Sequence, residues 1–461
     1  MEKPNVLLIV SDQLRYDCIG FSRKYPVRTP NIDRLAGEGA WFSNAYTHIP
    51  LCCPARQSLL NGRRPETFGS LWNYDLGPPI PALQPDSYSW PRELQKTGYA
   101  TAYLGKWHVH PTFDPTHYGY EDYVSLQDYK RFRDERYGAA KYKNGFFGET
   151  DPVPVEDART HWMADRTIAF MAQYERNPSV PWHIRLDFDE PHLPCRPSEP
   201  FASMYDPNTV PKWDNFDDTF TNKPYIQKQQ LLTWGVENYE WPDWSPTVAL
   251  YYAFISQMDE AIGKIVDYLD HSEMGNNTLI IFTADHGDMC GAHKMMDKHC
   301  VMYQDVVHVP LIIRGKGIAS GQVREEMVYN LLDLPPTLSE WTGFAPGEFQ
   351  GQSLMQLFRE GAPPEWRKEI VSTYNGQQFG LFIQRMITDG RWKLVWNPTD
   401  VDELYDLQDD PSELNNVIGH EEMKDVVDRL RNRLYEILMH EGDTMVANPW
   451  MKRQLQKGMK L

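Results

Sequence analysis

The sequence has no run of the roughly 18 apolar residues that a helix needs to cross a bilayer, so no transmembrane helix is expected. It is also short of positive charge: 46 Lys and Arg face 64 Asp and Glu, for a net charge of −18. A field of that sign repels nucleic acid and anionic membrane surfaces, so neither is an expected partner. Cysteine is sparse and unpatterned. The six residues, at 18, 52, 53, 195, 290 and 300, show no framework spacing, which predicts reduced thiols rather than disulfides. The opening Met1-Glu2-Lys3-Pro4 carries neither a basic leader nor a cleavage site before the apolar run at 6–10. Together these absences give a cytoplasmic location as the expectation. There is no internal repeat and no low-complexity tract.

At 461 residues the chain is too long for one small core, and it suits a large α/β domain with a smaller appendage. Residues 5–10, Asn-Val-Leu-Leu-Ile-Val, form a continuous apolar run ending at Ser11-Asp12-Gln13. Such runs are typical of strands buried on both faces of a parallel sheet. Further strands are predicted at 100–104, 182–188 and 277–283. They deliver Gly105-Lys106-Trp107-His108-Val109-His110, Glu190-Pro191-His192-Leu193-Pro194 and Ala284-Asp285-His286-Gly287-Asp288. Ligands of these sheets bind beyond the carboxyl ends of the strands, so the polar residues at these ends are predicted to converge. Thr29-Pro30 opens a helix, and 248–269 reads as a long amphipathic one.

After about Pro364 the pattern changes to short strands at 369–374, 381–388, 392–396 and 402–407, then a helix at 420–440. The expected division is therefore 1–364, a large catalytic α/β domain, and 365–461, a subdomain with a small antiparallel sheet and helix. Residues 113–160 and 196–245, the latter with Trp213, Trp234, Trp241 and Trp244, read as insertions. Either they are loops packing their own rings, or they form a rim suited to sugar or aryl groups. The tail at 443–461 is read as closing over the site or docking on a neighbour.

The most unusual stretch is Cys52-Cys53-Pro54-Ala55-Arg56, running on into Gln57-Ser58-Leu59-Leu60-Asn61-Gly62-Arg63. Proline suits the first turn of a helix, so Cys52 belongs at a helix N-terminus. Free N–H groups and the positive dipole end favour an anion there. Arg56 lies one turn further on, on the same side. The layout reads as a nucleophile beside an anion site; the alternative is a buried thiol in a proline-started helix. Asp12, Gln13, Asp285 and His286 form a candidate metal site. Two carboxylates and an amide oxygen suit a hard divalent cation, Ca²⁺ first and Mg²⁺ as the alternative. His286 is an unusual ligand for Ca²⁺, so the donor set leaves transition metals open.

Taken in order along the chain, these motifs resemble the sulfatase family. The opening strand with Ser-Asp, Cys-x-Pro-x-Arg, Gly-Lys-Trp-His and Pro-His-x-Pro come first. Asp-His-Gly with Gly291, His293, Lys298 and Tyr303 follows, and then the closing Asp402-Glu403-Leu404-Tyr405-Asp406-Leu407 with Asp410-Pro411, Glu413 and Asn415-Asn416. The resemblance implies the fold of the alkaline phosphatase superfamily, a large mixed, mostly parallel sheet flanked by helices, with a smaller C-terminal α+β subdomain. It implies that a maturation enzyme oxidises Cys52 to formylglycine, with Cys53 only the variable position. Cys52 then joins Asp12, Gln13, Asp285 and His286 around one divalent cation. By the same resemblance Arg56 holds the formylglycine hydrate and His108 is the base for elimination. Lys106 binds sulfate oxygens, while His192 and Lys298 contact sulfate and protonate the leaving oxygen. His293 stays outside this catalytic set. Two departures stand out: many relatives carry Asp where Gln13 stands, and some carry Lys where Glu190 stands.

The expected function is hydrolysis of a small sulfate ester to alcohol and inorganic sulfate. A sulfated saccharide is the first candidate substrate and an aryl sulfate the next. One alternative is a phosphonate monoester or phosphodiester hydrolase on the same scaffold, since a phosphodiester also carries one negative charge. The other is a catalytically silent binding protein, should Cys52 escape oxidation. The Gly-Lys-Trp-His and Pro-His motifs favour the sulfatase over the first, and the intact residue set opposes the second.

Overall fold

The computed structural model describes residues 3–74, 80–359, 361–376 and 380–460; Met1, Glu2 and Leu461, cited above at the chain's ends, lie outside them. Strands β1 (Asn5–Asp12), β2 (Ala40–Phe42) and β3 (Ala45–Tyr46) come first. They are followed by β4 (Ala100–Gly105), β5 (Asp122–Ser125), β6 (Trp182–Pro191), β7 (Thr278–Ala284), β8 (Leu311–Arg314), β9 (Gln322–Arg324) and β10 (Val328–Tyr329). β3 pairs with β10, and the other eight form one sheet in the order β5-β4-β6-β1-β7-β8-β2-β9. The pairings from β5 across to β7 are all parallel, and only those of β8 are antiparallel. Among the described residues no helix is long and apolar enough to cross a membrane.

β1 sits at the centre because both of its faces are apolar. Leu7 and Ile9 belong to one core, with the Pro30–Glu38, Arg159–Tyr174 and Trp241–Asp270 helices over them. Val6, Leu8 and Val10 belong to the other, under the Cys52–Asn61, Trp90–Lys96 and Leu334–Thr342 helices. Each such side chain contributes about 1.5–3 kcal/mol through its burial. β7 divides likewise, with Ile280 and Phe282 on one side and Leu279 and Ile281 on the other. β6 differs. Ile184 and Leu186 enter the first core, while the alternate residues His183, Arg185 and Asp187 are buried without joining either core.

Register then aligns the strand ends. Asp12 is level with Pro191, Ser11 with Ala284, and Gly105 with Asp187. The carboxyl ends of four neighbouring strands thus meet on one edge of the sheet.

A second sheet, antiparallel, is built from β11 (Ile370–Tyr374), β12 (Gln384–Thr388), β13 (Trp392–Trp396) and β14 (Glu403–Asp406). Val371, Ile387 and Leu394 pack against Leu430, Leu434 and Leu438 of the Lys424–His440 helix. The tail packs against the second sheet rather than over the site. Its Val446 and Leu455 enter this same core, and Asp443 pairs with Arg385 at 2.5 Å.

The two insertions are also more ordered than the sequence suggested. β5 closes one edge of the main sheet from within 113–160, and Trp213 and Trp244 lie in the core rather than on a rim. Trp213 has the Arg15 guanidinium stacked over its ring at 4.1 Å, which explains the burial of an aromatic in a polar stretch.

Candidate active site

Cys52 is the first residue of the Cys52–Asn61 helix, every residue of which is buried. Its Sγ lies 3.2 Å from His286 Nε2 and 3.7 Å from Asp12 Oδ1. Asp12, Cys52, Asp285 and His286 bring one donor atom each to within 4.8 Å of one another. Asp12 and Asp285 come from the ends of adjacent parallel strands, and Cys52 arrives from the helix that follows β3.

Beneath this group Arg56 is fully buried. Its Nη2 donates to Asp12 Oδ2 at 2.9 Å, its Nε donates to Asp285 Oδ2 at 3.1 Å, and its Nη1 pairs with Asp187. Asp187 also accepts from Tyr103 Oη at 2.7 Å and from Arg185 Nε at 2.8 Å. The sequence reading missed Asp187, Arg185 and Tyr103. For Arg185 and Asp187 the signal was the polar-apolar alternation along β6, which places charge on a buried face that no core explains; Tyr103, inside the apolar β4, carried none.

Lys106 Nζ reaches Asp12 Oδ2 at 2.8 Å and Asp189 Oδ1 at 2.9 Å. It is aimed by the turn that leaves β4. Gly105 has φ +94°, and a Cβ there would sit 2.0 Å from the Asp187 carbonyl oxygen. Only glycine fits, which gives the Gly of Gly-Lys-Trp-His its structural reason. His108 lines one cavity with Lys106, its ring edge-on to Tyr74 at 5.2 Å between centroids.

Lys298 Nζ donates to Gln13 Oε1 at 2.8 Å and lies 3.0 Å from His192 Nε2. His192 Nδ1 is 2.6 Å from the Leu193 carbonyl, which can only accept. The proton therefore sits on Nδ1 and leaves Nε2 to accept from Lys298. Gln13 donates through Nε2 to Asp297 Oδ1 at 3.0 Å and through its backbone N–H to Asp285 Oδ1 at 3.1 Å. Its side chain thus bridges Asp297 and Lys298, and its backbone braces Asp285. His293 stands apart, bonded to Asp218 at 2.6 Å and stacked on Tyr303.

The electrostatics follow from burying so many charges together. Burial and the Asp12 carboxylate push the Cys52 thiol up, but Lys298, His286 and Lys106 outweigh them and hold it well below its ordinary value. Asp12 is opposed by burial yet held below the usual carboxylate range by Lys106 and Arg56. Asp285 goes the other way, pushed up by burial and by Asp12. Burial opposes the His286 charge, but Asp285 and Cys52 favour it and raise the imidazole to about 9.

His286 Nδ1 lies 2.9 Å from the Gly287 carbonyl, so Nε2 is the atom turned toward Cys52 and Asp12. Two carboxylates, an imidazole Nε2 and the residue 52 side chain in one buried pocket fit a divalent cation. Asp285→Asn is expected to lower metal affinity at least about 10-fold, the cost of losing even an outer partner. Metal content after dialysis reads this directly, and unchanged stoichiometry would remove Asp285 from the ligand set.

A cavity of about 700 Å³ opens over Cys52, Lys106, His108, His192 and Lys298, with Tyr74, Tyr123, Phe146 and Trp234 around it. Of the four tryptophans placed on a possible rim, Trp234 alone lines this cavity.

Comparison with known proteins follows the same lines. Residues 4–344 match the sulfatase family, and residues 291–440 match the N-sulphoglucosamine sulphohydrolase C-terminal family. An arylsulfatase of Clostridium perfringens is 28% identical over 95% of this chain and 94% of its own length. In fold, a phosphonate monoester hydrolase from Silicibacter pomeroyi superposes with a TM-score of 0.82 at 23% identity, over 96% of this chain and 97% of that one. A protein solved with its substrate D-glucosamine-2-N,6-O-disulfate gives 0.78 at 22% identity, over 96% and 99%.

Proposed function

The chain belongs to the sulfatase family and hydrolyses sulfuric esters; from that premise we propose that it acts on a small sulfated saccharide, with residue 52 in its formylglycine form as the nucleophile. The observation that carries this reading is the set of groups gathered at Cys52, two carboxylates and His286 clustered with its Sγ, and Lys106 and Lys298 lining the same cavity. A thiolate that attacked sulfur would leave the enzyme sulfated with no easy exit. An aldehyde hydrate at the same position has two hydroxyls, one to attack sulfur and expel the alcohol, one to lose its proton so that the C=O reforms and sulfate departs.

Bound by Asp12, Asp285, His286 and residue 52, a divalent cation would supply Lewis acidity at the sulfate oxygens and ease loss of the hydroxyl proton; Ca²⁺ fits the carboxylates, with Mg²⁺ the alternative. Arg56 keeps the two carboxylates aimed from below. Lys106 and Lys298 meet the negative charge that grows on the sulfuryl oxygens, where burial makes each worth more than in water. Lys298, braced by His192 and Gln13, is the proton donor to the leaving oxygen. His108, on the wall beside Lys106, takes the proton in the elimination step. Gln13, which the sequence places with the metal ligands, has its Oε1 engaged by Lys298 and its Nε2 by Asp297, so it is assigned here to bracing Lys298 and Asp285.

The wide aromatic mouth supports a saccharide, whose ring faces pack on flat side chains, as does the disulfated glucosamine bound by the fold neighbour. The buried thiols at 18, 52, 53, 195, 290 and 300 support a reducing cytoplasmic setting and hence a small substrate rather than a polymer.

Co-expression with a formylglycine-generating enzyme tests the reading. The peptide containing Cys52 is expected to show the mass of the aldehyde. Sulfate release from 4-nitrophenyl sulfate and sulfated sugars is expected to outpace cleavage of a 4-nitrophenyl phosphonate ester. Preference for the phosphonate would move the protein to the activity of its structural neighbour. Silence on every sulfate by fully converted enzyme would end the proposal.

A further inference from the structure

A second cavity, of about 210 Å³, adjoins the first and shares His192 and Leu193 with it. It is lined by Arg133, Arg159 and Arg196, and by Asp151, Asp189 and Glu190. Most of these charges are spoken for. Arg133 pairs with Asp134, and Arg159 with Asp189 at 2.8 Å and Glu190 at 2.7 Å. Asp151 accepts from Tyr142 Oη and from the Val153 backbone.

Two groups remain. The Arg196 guanidinium lies over the Tyr142 ring, 3.7 Å from its centroid, forms no ion pair among the described residues, and has a buried Nε with no hydrogen-bond partner. Glu190, 1% exposed, uses Oε1 for Arg159 and leaves Oε2 buried without a partner. Orphaned buried polar atoms are costly, and an orphaned donor and an orphaned acceptor on two residues that line one cavity next to a reaction centre point to a ligand that both donates and accepts.

We propose that this side pocket is a second substrate subsite that takes a hydroxyl-bearing sugar unit joined to the sulfated one, with Arg196 as its donor and Glu190 as its acceptor. A hydroxyl satisfies both groups. A second sulfate fits less well, because Asp151, Asp189 and Glu190 offset the three arginines and Glu190 keeps an oxygen without a partner. The volume is below that of a drug-sized site and suits one ring. Tyr142 holds the guanidinium plane in place, so little conformational freedom is lost when it bonds to a sugar. Glu190 thereby gains a substrate role at the position where some relatives carry lysine.

The proposal rests on the sulfatase reading and deepens it. The test compares wild type with Arg196→Met, which keeps the stem and removes every donor, and with Arg196→Lys. kcat/KM is measured on 4-nitrophenyl sulfate and on a panel of sulfated monosaccharides and the disaccharides that contain them. Wild type is expected to prefer a disaccharide over its sulfated monosaccharide. Arg196→Met is expected to lower the disaccharide-to-nitrophenyl ratio about 10- to 100-fold, the worth of hydrogen bonds from a charged donor, with Arg196→Lys in between. An unchanged ratio, or no disaccharide preference in wild type, overturns the subsite while leaving the sulfatase. Loss of sulfate release from every substrate by wild type would instead overturn the reading beneath it.

Discussion

Cys52→Ala is expected to cut sulfate release by at least about 10⁴-fold, because it removes the attacking group and leaves only binding and electrostatics. The helix should survive, since alanine is the best helix former and position 52 makes its contacts through a single sulfur. Circular dichroism and thermal unfolding close to wild type would show that the loss is chemical. Cys52→Ser sharpens the point. Serine supplies one hydroxyl in place of the hydrate's two, so attack on sulfur would leave the enzyme sulfated and stalled within its first turnover. Mass spectrometry of that peptide reads the adduct. Normal turnover in Cys52→Ala would sink the mechanism outright.

Arg56→Met is expected to be the most damaging substitution for stability. The guanidinium is the shared cation of Asp12, Asp187 and Asp285, all fully buried with it. Removing one partner of a buried charge group costs about 3–5 kcal/mol because the remaining charge cannot reach water. The loss should depend on metal. A divalent cation on Asp12 and Asp285 neutralises two of the three carboxylates, while Asp187 keeps Arg185 and Tyr103. Urea unfolding should therefore show a larger deficit in chelator than in excess Ca²⁺. An equal deficit in both would mean that the carboxylates Arg56 holds are not those that hold metal, and no deficit in either would deny the arginine its role under the site.

Both predictions concern residues visible in the sequence, and their partners show where visibility ended. Cys52 and Arg56 stand in one short motif, and the helix periodicity that puts them on one side is a local property. Asp12, Lys106 and Asp285 each stand at the end of an apolar run and His192 just after an alternating strand, and in a parallel sheet that alone places them on one edge. Asp187 is different. It lies inside β6, two residues before Asp189, and nothing local separates the carboxylate that braces Arg56 from the one that pairs with Lys106 and Arg159. Strand alternation sends the two along one face, and the neighbouring strands decide what each meets. The loop from Cys290 to Cys300 was opaque for a related reason. Cys290, His293, Lys294, Asp297 and Cys300 all have positive φ, a conformation their types do not announce. It is held by distant groups, among them Asp218 on His293 and Tyr374 on His299.

The amino-acid sequence by itself determined the buried parallel strands, the polar residues at their ends, the nucleophile's helix and the four-stranded antiparallel sheet near the end of the chain. Each of these rests on periodicity or on the chemistry of neighbouring residues. The tertiary structure alone decided which buried charge answers which. It put Trp213 in the core and Trp234 on the cavity, gave the tail to the second core, and set Arg196 and Glu190 beside His192. Those outcomes depend on contacts between residues far apart in the chain, where burial makes every unpaired charge costly and so forces a pairing that no local pattern encodes.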